Sequence, residues 1–183
     1  MKSHSYLVKL IQCAVFAAIL CICSPLTVPI GVIPFSMAIF AVMLCGVVLD
    51  WKSGLVSVLV YLALGLFLPI FSGGNTGLTA IPGPTGGFIW SFPLMIPVIC
   101  LIKRQSGSVV WMMTTAFLGC VPAIALCYLC GSVHYALFAG VPISAAIRAC
   151  VIPFILPDLI KAAVASVVGV LVRKALRKSR FSV

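Results

Sequence analysis

The chain alternates long apolar runs with short polar breaks. Apolar runs cover residues 7–24, 32–49, 54–71, 87–102, 109–129 and 156–172. They are 16 to 21 residues long, close to the roughly 20 that a helix needs to cross a hydrocarbon core of about 30 Å. The pattern predicts an all-α membrane protein, one transmembrane domain over residues 1–183 built as a bundle of six transmembrane helices. Lys2 and Lys9 flank the start of the first run, but no small-residue cleavage site leads into a polar mature region. That run is therefore expected to be a retained helix rather than a removed signal.

The breaks differ in charge. Lys2, Lys9, Lys52, Lys103, Arg104, Arg173, Lys174, Arg177, Lys178 and Arg180 fall on one side of the predicted bundle, and Arg148 stands alone on the other. Basic residues concentrate on the cytoplasmic side, so a multi-pass protein of the cell membrane with both termini cytoplasmic is expected, and the loops at 25–31, 72–86 and 130–153 should face outward. The segment 72–87, SGGNTGLTAIPGPTGG, holds six glycines and two prolines. It is too polar to cross and too long for a simple connector. Leu78, Ile81 and Pro82 offer it apolar anchors, so it reads as a long ordered extracellular loop between helices 3 and 4, a lid over the helix ends. A flexible linker is the plainer alternative.

Composition excludes a soluble fold. Hydrophobic residues make up 63% of the chain and charged ones 8%, against roughly a quarter charged in a soluble domain. The net charge of +10 rests on twelve Lys and Arg set against Asp50 and Asp158. Because the basic residues sit at the ends of apolar runs and form no stripe with interleaved aromatics, they match membrane lipid headgroups and no nucleic acid. Nine cysteines lie mostly within apolar stretches. Cys127 and Cys130 form a C-x-x-C, yet only His4 and His134 could complete a site, so no metal is expected.

Asp158 and Lys161 are the informative residues, since a charge within the bilayer costs about 2.5 to 3.5 kcal/mol on insertion scales. Their i, i+3 spacing sets them on one helical face, acid before base as the helix dipole favours. Pro153 and Pro157 precede them and make Asp158 a first-turn residue. They form either an ion pair that stitches the last helix into the bundle or, beneath the glycine-rich loop, a pocket for a small polar-headed ligand. Gly83, Pro84, Thr85, Gly86 and Gly87 lack a following Lys-Ser/Thr, so no phosphate loop is present. Asp50 lies on the opposite side from Asp158, which leaves no acid–base couple, and no catalytic residue is assigned. On the first helix Ala14 and Ala18 form a small-x-x-x-small pair that lets another helix approach closely.

The segments LPIFSGGNTGLTAIPGPTGGF at 68–88 and PDLIKAAVA at 157–165 resemble the BioY family, the membrane-embedded biotin-binding S components of energy-coupling-factor vitamin transporters. The resemblance runs nearly end to end and includes six helices and the A-x-x-x-A of the first. It implies biotin as the transported ligand, with no cofactor, and ligand-binding positions at Asn75, Asp158 and Lys161. A carboxylate, an amide and an ammonium together satisfy a ureido group's two N–H donors and one C=O. Phe88 and Trp90 would wall the apolar part, and the valerate carboxylate would lie toward backbone N–H groups of the loop, including Gly86 and Gly87. The sequence departs from the family's pattern at Phe88, where Tyr is common, and at Leu156, Pro157, Asp158, where P-G-D is usual. The implied partners are a transmembrane coupling subunit and two ABC ATPases, docked on Ala14 and Ala18. The alternatives are the same architecture tuned to another vitamin and a small intramembrane lipid-modifying enzyme using Asp158.

Overall fold

The computed structural model describes the backbone of residues 2–29 and 33–181 and the side chains of residues 6–29 and 33–177. Expectations resting on Ile30, Gly31 and Val32, or on the side chains of Lys2, His4, Lys178 and Arg180, lie outside the described residues. The elements are α1 (Lys2–Cys23), β1 (Thr27–Val28), β2 (Phe35–Ser36), α2 (Ala38–Val48), α3 (Trp51–Phe67), α4 (Gly77–Ala80), α5 (Gly86–Ile102), α6 (Val109–Ala139), α7 (Ile143–Cys150) and α8 (Ile155–Phe181). Short 3-10 turns cover Ser72–Gly74 and Ile152–Phe154. The stretches Tyr6–Cys23, Val109–Ala139 and Ile143–Arg177 are long and apolar enough to cross a membrane, while α2, α3 and α5 are apolar but shorter.

The apolar runs mark where helices lie but not where they end. Where the pattern predicts a helix over 32–49, only Ala38–Val48 is helical. Pro34 biases the preceding residue away from helical angles, and the antiparallel pairing of Thr27 with Ser36 and Val28 with Phe35 takes up this stretch. Ser36 Oγ then accepts from the Ala38 N–H at 3.0 Å, starting the helix. Helix α3 begins three residues before the predicted 54 because Asp50 caps it, accepting from the Ser53 amide at 3.4 Å and the Ser53 hydroxyl at 2.9 Å. Burial raises the Asp50 carboxyl, but these bonds and nearby Lys9 outweigh it and hold the group below the usual carboxylate range. The expected 130–153 loop is the largest correction. Helix α6 continues to Ala139 and stops at Gly140, whose φ of +64° only glycine adopts freely. The rest of that segment is mostly α7.

Helix α2 occupies the centre, with Ala41, Val42, Met43, Cys45 and Val47 fully buried. Surrounded by protein, it has no need to match the bilayer thickness by itself. The most extensive helix contact joins α5 to α6. It depends on Gly131: a side-chain carbon there would stand 2.3 Å from the Phe88 ring. At one end of the bundle Lys103 is folded inward, and its ammonium donates to the carbonyls of Gly46, Val47 and Leu49 at the C-terminus of α2. Burial pulls this ammonium below the ordinary lysine range. The arrangement cancels the partial negative charge of the helix end and ties α5 to α2. Replacing Lys103 by Met would keep the stem and strand the carbonyls, at about 1–3 kcal/mol. The thermal midpoint of the detergent-solubilised variant should fall by several degrees, and an unchanged midpoint would show the cap to be dispensable.

Candidate functional site

Helix α8 opens with Pro157 in its first turn, where a missing N–H costs nothing. Asp158 follows it directly in the first turn, and Lys161, three residues on, projects from the same face. Lys161 Nζ donates to Asp158 Oδ1 at 3.0 Å. The other carboxylate oxygen, Oδ2, accepts from the Tyr128 hydroxyl on α6 at 2.7 Å. Lys161 Nζ also donates to the Ser36 carbonyl at 2.6 Å and lies 3.5 Å from the centroid of the Phe35 ring. Phe35 stacks on Phe154, their centroids 6.5 Å apart. Both charged residues are buried, Asp158 at 1% exposure and Lys161 at 7%. The β1–β2 hairpin is thus the segment that covers the ion pair.

These groups line a cavity with about 540 Å³ of empty space, its open mouth included. Its walls are Ile33 and Phe35 of the hairpin segment, Ile39 of α2, Phe88, Ile89 and Phe92 of α5, Cys150 of α7 and Phe154. An ammonium carries three donors, of which Lys161 directs two at Asp158 and Ser36. The third has no oxygen acceptor among the described residues and lies near the Phe35 ring, where a ligand carbonyl can compete for it. Each oxygen of Asp158 takes one bond and retains a lone pair for a ligand N–H. The site therefore offers an acceptor and a donor side by side at the polar end of an aromatic chamber. Ser72 Oγ, buried and with no partner among the described residues, belongs to a residue lining the same cavity.

Asp158, Lys161 and Phe88 come together as expected; the other predicted ligand residues do not. Trp90 is 58% exposed and points away, because two residues on a helix stand about 200° apart at 3.6 residues per turn, so Phe88 and Trp90 cannot share a wall. Asn75 is exposed and its side-chain amide donates to the Ser72 carbonyl at 2.8 Å; the Phe71–Asn75 bridge around Gly73 and Gly74 turns it back on its own loop. Gly86 and Gly87 face protein: a side-chain carbon would stand 1.9 Å from the Ile81 carbonyl at the first and 2.5 Å from the Cys130 carbonyl at the second. They permit close packing of α5 against loop and α6. Of the expected loop anchors, Leu78 is 81% exposed, Pro82 is exposed and only Ile81 is half-buried. The loop contributes Ser72 and Thr85 to the cavity. Ala14 and Ala18 are both exposed on α1. Cys127 is buried in the core, and His134 Nε2 bonds the Gly83 carbonyl at 3.0 Å. Tyr128, Phe35 and Ser36 escaped the sequence reading. A tyrosine within an apolar run was the one available signal, and nothing in its spacing joined it to Asp158.

A helical bundle of this hydropathy, closed around a buried ion pair with unused hydrogen-bonding capacity, defines a membrane-embedded binding protein for a small molecule with a polar head and an apolar body. The BioY family model matches residues 1–178, and the chain belongs to that family. Relatives include the probable biotin transporter BioY of Pyrococcus horikoshii, 36% identical over 85% of this chain and 90% of the relative. Biotin transporter BioY2 of Lactococcus lactis subsp. cremoris is 32% identical over 94% of each chain, and the biotin transporter BioY of Thermotoga maritima is 32% identical over 91% of this chain and 96% of the relative. The fold also matches the crystal structure of the S-component for biotin from an ECF-type ABC transporter, with a TM-score of 0.83, 24% identity and 95% of both chains covered. The protein is membrane-embedded.

Tyr128→Phe removes the donor to Asp158 Oδ2. A hydrogen bond to a buried charge contributes about 1.5–3 kcal/mol, so the thermal midpoint of the purified protein should drop by several degrees. Tyr135→Phe on the same helix is the control and should leave it near the wild-type value. Equal midpoints for the two variants would remove Tyr128 from the site.

Proposed function

We propose that this chain is the biotin-binding uptake subunit of an energy-coupling-factor transporter, a transport protein and not an enzyme. The observation that carries the reading is the Asp158–Lys161 pair, which keeps both an acceptor and a donor in reserve at the polar end of the cavity. Biotin's ureido group presents two N–H donors beside one C=O, the complement of that pair. Its fused thioether ring and aliphatic chain suit the rings of Phe35, Phe88, Phe92 and Phe154. Ser72 offers a further hydroxyl on the way to the mouth. Family membership supports biotin over other vitamins, and a competition panel of water-soluble vitamins against labelled biotin separates the two readings.

Six crossings by α1, α2, α3, α5, α6 and α8, with both termini cytoplasmic, agree with the charge asymmetry of the loops. The hairpin and the 72–86 loop then cover the vitamin from outside. Because the sequence has no phosphate loop, uphill uptake draws on a partner: a transmembrane coupling subunit with two ABC ATPases. Ala14 and Ala18, one turn apart and exposed on α1, form a shallow strip on which a partner helix can dock.

The purified protein should bind biotin, and Asp158→Asn should weaken binding by well over tenfold with membrane insertion intact. A charged buried acceptor is worth about 1.5–3 kcal/mol, and Lys161 loses its counter-charge. Equilibrium binding measures this; an unchanged affinity with a lowered thermal midpoint would reduce the pair to a structural stitch. Replacing Ala14 and Ala18 together by Leu should leave binding near normal while cellular biotin uptake falls. Wild-type uptake by the double variant would move the docking face off α1.

A further inference from the structure

A second cavity lies on the other side of Tyr128. It is an open groove between α6 and α7 with about 600 Å³ of empty space, its open side included. Ala125 and Leu129 of α6, Ile143 and Ile147 of α7, and Val151 give it apolar walls; the polar liners are Tyr128 and Ser132. Ser132 is 2% exposed, and its hydroxyl has no partner among the described residues. Helical hydroxyls elsewhere in this chain, at Ser57, Thr114 and Ser166, bond a carbonyl one turn back. A buried hydroxyl without such a partner is costly in an apolar setting unless a ligand supplies an acceptor.

Helix α7 presents two faces. Ala146 and Cys150 are buried against the bundle, while Ile143, Ile147 and Arg148 are exposed. Arg148 is the one basic residue in the 130–153 segment, and a guanidinium matches a phosphate in charge and in bidentate geometry. We propose that this groove is a phospholipid site, with an acyl chain between α6 and α7, an ester carbonyl accepting from Ser132 and the phosphate on Arg148. Tyr128 lines both cavities and bonds Asp158. An acyl chain against its ring fills the space into which the ring could swing, so lipid occupancy holds the hydroxyl on Asp158 and strengthens ligand binding. The coupling rests on the biotin reading, whereas the lipid site stands without it.

The test uses the full-length purified protein, stripped of lipid in detergent, with phosphatidylglycerol carrying a photoreactive diazirine on one acyl chain. Adducts mapped by mass spectrometry should concentrate in residues 125–151. Ile147→Trp, which fills the groove, should reduce them severalfold, with Ala125→Phe serving if that variant does not fold. Arg148→Glu, or a diacylglycerol with the same photoreactive chain, should also label the groove severalfold less. Adding phosphatidylglycerol should raise the biotin affinity of the wild type severalfold and leave that of Ile147→Trp unchanged. Labelling spread evenly over the bundle surface, labelling indifferent to Ile147→Trp, or chain-to-chain crosslinks through α7 would overturn the lipid site, the last in favour of a second copy. Groove adducts with a wild-type biotin affinity indifferent to lipid would overturn the coupling alone. Groove adducts without biotin binding in any condition would strike down the biotin reading, and the coupling with it, while the lipid site survived.

Discussion

A carboxylate and an ammonium placed in a largely apolar interior must find partners there, because little water surrounds them and each unpaired charge costs several kcal/mol. Asp158 and Lys161 meet this constraint only by drawing on three parts of the chain. Helix α8 supplies both charges, α6 brings the Tyr128 hydroxyl, and the β1–β2 hairpin brings the Ser36 carbonyl and the Phe35 ring. Removing any one would leave a buried group short of a bond. The charges and Tyr128 form the polar end of the cavity, and α2, α5 and α7 complete its apolar walls.

The same requirement shapes the other end of the bundle. Lys103 is buried without a carboxylate partner among the described residues; the carbonyls at the end of α2 accept its hydrogen bonds instead. Helix α2, short and enclosed, is thereby anchored at its C-terminus by a side chain of the α5 end and preceded at its N-terminus by the hairpin that covers the ion pair. Close packing does the remaining positioning. With no side chain at Gly131, the Phe88 ring can lie against α6 while lining the cavity, so α5 and α6 together set the distance between the aromatic wall and Tyr128.

Much of the protein was legible in its sequence, because the relevant signals are local. Runs of apolar residues located the membrane-embedded helices, and the i, i+3 spacing of Asp158 and Lys161 placed them on one face whatever the neighbours did. A resemblance carried by two short motifs led to the right family. Helix limits were less legible, since Pro34, Asp50 and Gly140 act through single capping or backbone effects that an apolar count overlooks. The 130–153 segment looked like loop because its hydropathy dips, yet hydrogen bonding continues unbroken through Ala139.

What only the tertiary structure decided is which residues complete the site. Tyr128 lies 30 positions from Asp158, and Ser36 lies 125 from Lys161; no periodicity relates residues so far apart, and their meeting is a product of helix packing. Trp90 and Asn75 failed as cavity residues for the converse reason. A motif assigns a residue to a region of the chain, but helical phase turns Trp90 outward and a local turn bends Asn75 back on Ser72. The sequence by itself determined the solvent, the class and the charged pair; the fold determined its partners, because in an apolar interior those are whichever polar groups the packing of distant segments brings within hydrogen-bonding reach.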